Sequence, residues 1–122
     1  MVGMILFVED EAIARYAFAQ SLRSHGHEVL EAKNGIEALA LLDKHSFNLV
    51  ITDLVMPGLD GFALVTQIRD KCPAMPIVLI SGYTADYARP AMVESTEFLP
   101  KPIDSAALLS TVERLLAKPT RL

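Results

Sequence analysis

The chain has 122 residues, 52% of them apolar, and a formal net charge of −4. That length suits a single domain, residues 1–122, with enough apolar side chains for a sheet covered on both faces. It lacks a lysine- or arginine-rich run, a signal-peptide pattern and an apolar stretch of bilayer-spanning length, which argues against direct nucleic-acid binding and membrane insertion and for a cytoplasmic location.

Met4-Ile5-Leu6-Phe7-Val8 is wholly apolar and predicts a first strand buried on both faces, stopping at Glu9-Asp10-Glu11. Ala12 to Ser24 predicts a helix with Ile13, Ala17 and Leu22 inward, Tyr16 and Phe18 beside them, and Gly26 closing it. His27 to Glu31 predicts a shorter strand with mixed faces. Asn34 predicts an N-cap, and Glu37 three residues on completes a capping-box-like pair. The helix it opens, Ile36 to Lys44, should turn Leu39, Ala40 and Leu42 inward. Leu49-Val50-Ile51 predicts a central buried strand that ends in a carboxylate, Asp53. Met56-Pro57-Gly58 cannot continue a strand, and a helix is predicted from about Gly61 to Asp70. The single cysteine, Cys72, lies beside Pro73 in the next connection; it has no internal partner and reads as a bystander in a reducing cytosol. Ile77 to Ile80 predicts a fourth strand, ending in Ser81-Gly82. Between Tyr83 and Thr96, Pro90 suits only a first helical turn, so a short helix around Pro90–Glu94 is expected. Glu97-Phe98-Leu99 predicts a brief fifth strand ending at Pro100-Lys101-Pro102. Asp104 or Ser105 caps a last helix with Ala107, Leu108, Val112, Leu115 and Leu116 inward, closed by Pro119.

Strands and helices alternate throughout. That pattern predicts an α/β fold, a doubly wound sheet of about five parallel strands joined by right-handed crossovers, with helices on both faces. Parallel strands place their carboxyl ends on one rim, where open α/β sheets bind ligands. Asp10 follows the first strand, Asp53 ends the third, Ser81 the fourth, and Lys101 follows the fifth. Glu9, Asp10 and Asp53 would therefore crowd together, and their repulsion calls for positive charge. One ammonium, Lys101, cannot balance three acids. A hard divalent cation with oxygen ligands, Mg²⁺ or Mn²⁺, fits the remainder. Carboxylate, metal, ammonium and hydroxyl together are what phosphoryl transfer to an aspartate requires.

The ordered set Glu9-Asp10, Thr52-Asp53-Leu54-Val55-Met56-Pro57-Gly58-Leu59-Asp60-Gly61, Ser81-Gly82, Phe98 and Lys101-Pro102 resembles the receiver, or response-regulator, domain of two-component signalling over nearly the whole chain. The resemblance implies a flavodoxin-like strand order, 2-1-3-4-5. It implies that Asp53 takes a phosphoryl group from a histidine kinase or a histidine phosphotransfer protein. Asp10 would ligate Mg²⁺ directly, Glu9 through water, and the Val55 main-chain carbonyl would complete the set beside Asp53. Ser81 and Lys101 would each hold a phosphoryl oxygen, Phe98 would be the aromatic switch that follows Ser81, and Lys101–Pro102 would be a cis bond. The downstream protein partner is not named by the sequence. SGYT and FLPKP resemble receivers attached to hybrid kinases, so the chain reads as a single-domain regulator or as a receiver from a longer protein.

Plainer readings stand beside these. Asp53 could cap a helix, Glu9-Asp10 could favour a helix N-terminus, Ser81 could serve a turn, and Phe98 and Met56 could simply fill the core. His25 and His27 read as solvated. Two other functions compete. An aspartyl-phosphate-forming phosphatase of the haloacid-dehalogenase kind needs an acid two residues after its nucleophile, where this chain has Val55. A phosphate-independent interaction module should show a broken acid set, and this one is intact. Ser95-Thr96 replaces the small Gly-Ala pair usual in receivers, and Ser81 to Lys101 is slightly short, so a standard dimer face is not expected.

Overall fold

The computed structural model describes residues 3–56, 58–59, 61–82 and 96–117. In chain order the elements are β1 (Met4–Val8), α1 (Ala12–Ser24), β2 (Glu28–Ala32), α2 (Gly35–Lys44), β3 (Leu49–Asp53), α3 (Gly61–Lys71), β4 (Ile77–Ser81), β5 (Thr96–Pro100) and α4 (Ser105–Ala117). The sheet order is β2-β1-β3-β4-β5 with every pair parallel, the doubly wound arrangement expected from the alternation.

Successive residues of a strand face opposite sides, and both sides are covered here, so the three central strands are apolar until their carboxyl ends at Thr52-Asp53 and Ser81. Ile5, Phe7, Leu49, Ile51, Val78 and Ile80 point to one side and pack under α1 and α4. Leu6, Val8, Val50, Ile77 and Leu79 point to the other and pack under α2 and α3. Each layer is fully buried, so a one-residue register slip would exchange two entire cores. The edge strands differ: β2 and β5 are only partly covered. Among the described residues no helix is long and apolar enough to cross a membrane.

Several local expectations need correction. In α1, Ile13 is 82% exposed and Ala17 is exposed, whereas Ala19 and Leu22 are buried and Phe18 stacks on Phe7. Apolar and alanine residues run all around this helix, so the pattern did not single out a face. The inward line is 15-18-19-22, a helical i, i+3, i+4, i+7 series. In α2 the same ambiguity puts Ala38 inside and Ala40 outside, with Leu39, Leu41 and Leu42 partly buried. Asn34 caps α2 by accepting the Glu37 N–H at 2.8 Å. The return bond from Glu37 reaches the Lys33 N–H at 2.9 Å, one residue before the cap.

His27 is buried, not solvated. It precedes β2, which starts at Glu28, and its Nδ1 accepts the Gly3 N–H at 3.2 Å. Its Nε2 faces the Glu113 carboxylate on α4 at 3.7 Å. This partnership spans the chain and has no local sign. His25 is exposed, as expected. Cys72 is exposed just beyond α3, and Met56 is buried as a packing residue. The short helix expected around Pro90–Glu94, the altered dimer face at Ser95 and the closing Pro119 lie outside the described residues.

Candidate functional site

The site follows from where β1 and β3 stop. Both strands run inside the sheet, so the first charged residue at the end of each emerges at the same rim. Asp53 is the last residue of β3, opposite Ile80 of β4 in register, and it is only 2% exposed. Glu9 follows β1, with its N–H on the Ala32 carbonyl of β2 at 3.0 Å, and is likewise buried. Asp10, next along, is exposed. Carboxylate oxygens of Glu9, Asp10 and Asp53 all lie within 4.8 Å of one another.

Room for this cluster depends on one glycine. Gly61, the first residue of α3, donates its N–H to the Leu54 carbonyl at 2.8 Å. A Cβ there would lie 2.6 Å from the Asp53 carbonyl oxygen and equally close to Leu54 Cα. Only a residue without a side chain lets the helix start against the end of β3.

Lys101 answers the acids. Its Nζ lies 2.7 Å from Asp53 Oδ2. The Val55 N–H donates to Asp53 Oδ1 at 3.3 Å. Lys101 is fixed at its backbone by donating its N–H to the Ser81 carbonyl at 2.9 Å, and the Lys101–Pro102 peptide is cis, as expected. Ser81 ends β4 and is buried, opposite Pro100. Phe98 lies opposite Leu79 on β5, half-buried against the α2–α3 core.

The electrostatics carry the signature of too many acids. Burial pushes the Glu9 carboxyl up to about 7; the Glu11 N–H on its Oε2 pulls it down in part, while Asp53 and Asp10 raise it further and Lys101 lowers it. Burial works against the Lys101 ammonium, yet its hydrogen bond and charge contact with Asp53, backed by Glu9 and Asp10, hold it above the ordinary lysine range. The three carboxylates supply only hard oxygen donors, which suits a magnesium-like cation. An open cleft of about 720 Å³ leads from the acids past Ala14 and Phe18 to Pro102 and Ile103.

Glu9, Asp10, Asp53 and Lys101 are thus brought together, with Ser81 and Val55 bonded to or beside them and Phe98 one layer below. One residue escaped the sequence reading. Arg15 lies on the inward line of α1 and donates to the Glu9 carbonyl at 2.8 Å. No signal in the sequence marked it, because apolar residues run all around α1 and its partners lie just beyond β1 and in β2.

Comparison with known proteins agrees with this geometry. The response regulator receiver domain family matches residues 5–113. The response regulator FleR of Pseudomonas aeruginosa is 38% identical over 93% of this chain, which spans about a quarter (24%) of that protein's length. The receiver domain of the hybrid histidine kinase CckA is 40% identical, with a TM-score of 0.81 over 93% of this chain and 99% of that one. The response regulator TrrA of Thermotoga maritima, solved with Mg²⁺ and beryllofluoride, is 30% identical, with a TM-score of 0.84 over 92% of this chain and 97% of that one. With the match covering most of its length, the chain belongs to the response-regulator receiver domains of two-component signalling, a family of regulatory phosphoacceptors.

Proposed function

We propose that Asp53 accepts a phosphoryl group from a phosphohistidine, on a histidine kinase or a histidine phosphotransfer protein, and that the change is read by a downstream protein. A carboxylate oxygen of Asp53 attacks phosphorus, the P–N bond breaks, and the released imidazole takes up a proton. The product is an acyl phosphate on Asp53. Asp10, Asp53, the Val55 main-chain carbonyl and, through water, Glu9 would hold Mg²⁺, which would supply charge to neutralise the phosphoryl oxygens. Lys101 turns from Asp53 to one phosphoryl oxygen, and the Ser81 hydroxyl donates to another. Phe98 then moves into the space that Ser81 leaves, altering the β5 surface. The chain is read as one domain, working in the cytoplasm, with no turnover beyond its own phosphorylation and dephosphorylation.

The observation that carries this reading is the Asp53 carboxylate, buried, 2.7 Å from a single ammonium and within 4.8 Å of two more acids. A capping aspartate needs neither neighbour. The phosphatase alternative has no general acid at Val55, whose side chain is 57% exposed. The test is incubation with Mg²⁺ and acetyl phosphate, followed by intact-protein mass. One phosphoryl group is expected on the native chain and none on Asp53→Asn. Equal uptake by both would end the assignment.

A further inference from the structure

Arg15 is a cation placed on the buried side of α1, where Phe18, Ala19 and Leu22 are apolar. Its guanidinium makes two bonds in different directions. Nη1 donates to the Glu9 carbonyl at 2.8 Å, and Nε pairs with Glu31 Oε1 of β2 at 3.1 Å. Glu31 is held from its other oxygen by Arg23 Nη1 at 3.2 Å, and Arg23 is itself fixed on the Val29 carbonyl at 2.7 Å. Glu9 is consequently bound at three points: its N–H by Ala32, its carbonyl by Arg15, and its carboxylate by the Glu11 N–H at 3.0 Å. The Glu9 carbonyl belongs to the peptide that leads into Asp10. Fixing that oxygen fixes the plane of the Glu9–Asp10 peptide and with it the position of the Asp10 Cα from which the side chain leaves.

We infer that Arg15 is a positioning residue for the cation site: through the Glu9 carbonyl, braced by Glu31 and Arg23, it aims Asp10 at Asp53. This rests on the reading of Asp53 as a Mg²⁺-assisted phosphoacceptor. The guanidinium fork suits the task because it presents donors in two fixed directions, one for the carbonyl and one for the carboxylate. A lysine offers a point charge without that geometry.

The inference has a sign that simple electrostatics does not share. Removing a cation near an acidic site should tighten Mg²⁺ binding through charge alone. Removing a brace should weaken it, and the loss of such outer partners commonly costs about 10–100-fold in metal affinity. The experiment is Mg²⁺ titration by calorimetry on the native chain, Arg15→Ala, Arg15→Lys and Arg114→Gln. Arg114 pairs with Glu97 on an exposed surface and controls for the loss of one positive charge. The expected result is binding about tenfold weaker for Arg15→Ala, intermediate for Arg15→Lys and unchanged for Arg114→Gln. With acetyl phosphate, Arg15→Ala should need more Mg²⁺ for half-maximal rate, while the rate at saturating Mg²⁺ stays within about twofold, a split that general loss of stability does not produce. In the metal-free protein the Asp10 amide resonance should shift in Arg15→Ala. Unchanged or tighter binding by a folded Arg15→Ala overturns the inference. Should that variant not fold, Arg15→Lys decides, because it keeps the charge and loses the fork: weaker binding supports the brace, and native affinity refutes it. If the native chain itself neither binds Mg²⁺ nor gains phosphate on Asp53, the phosphoacceptor reading fails, and it does so without reference to Arg15.

Discussion

The two ends of the sheet handle buried polar groups in opposite ways. At the amino end, hydrogen bonds match one to one, from buried to exposed: the Gly3 N–H meets His27 Nδ1, the Met4 N–H meets Asn48 Oδ1 at 2.8 Å, and the Asn48 N–H meets the Met4 carbonyl at 2.8 Å. At the carboxyl end, three acids gather around one ammonium. The first arrangement leaves one buried atom over, His27 Nε2, which has no hydrogen bond among the described residues and faces the Glu113 carboxylate at 3.7 Å. The second holds excess negative charge in a place of low solvent access, which raises Glu9 and leaves the site ready for a cation. Hydrogen-bonded pairs sit at one end of the same strands and the acid cluster at the other.

Substitutions can test that division. The largest effect is expected from Gly61→Ala at the carboxyl end. The added methyl meets backbone of β3 at 2.6 Å, and backbone cannot step aside as a flexible side chain can. A loss of about 3 kcal/mol is expected in urea unfolding, together with weakened phosphorylation, because the strand end that carries Asp53 must move. Native stability in Gly61→Ala would show that α3 can start elsewhere.

Next in size is a pH effect. The folded state holds the Glu9 proton up to about pH 7, against 4.5 for an ordinary glutamate. Folding is therefore favoured by this group below pH 4.5, and that advantage disappears as pH rises through 7. The full change is at most on the order of 3 kcal/mol in metal-free protein. Mg²⁺ requires ionised carboxylates, so the stabilisation it confers should grow over the same interval. Thermal unfolding with and without Mg²⁺ at pH 5.5 and 8 measures both slopes, and Glu9→Gln should flatten them. A metal-free protein more stable at pH 8 would contradict the placement of Glu9.

The smallest effect belongs to the amino end. His27→Gln should cost about 1 kcal/mol, the scale of one altered buried hydrogen bond, and leave Mg²⁺ affinity unchanged. A change in Mg²⁺ affinity would mean that the two ends are coupled through the sheet.

What could be read in advance divides along the same physical line. The strands β1, β3 and β4 were legible because uninterrupted apolar runs bounded by charges and turns have few other uses. The acids and Lys101 were legible because each stands at or just beyond the carboxyl end of an expected strand. Helix faces were harder: α1 carries alanine and larger apolar residues on every side, and only packing decides that Leu22 goes in and Ile13 stays out. Partnerships formed across the chain left no local mark. His27 with Gly3 and Arg15 with Glu31 are 24 and 16 residues apart, and a window along the sequence cannot join them.

The half-covered margins of the sheet have a consequence for how molecules of this chain meet. An open sheet has two outer strands whose outward backbone groups could extend the ladder into a second molecule. Here β2 carries Glu28 and Glu31, while β5 carries Glu97 and finishes at Pro100, which has no N–H to offer. Two β5 margins brought side by side would leave the rung at Pro100 empty, while the Glu97 charge is already answered by Arg114. Continuous stacking into fibrils is thereby discouraged where β5 ends in a residue without an N–H.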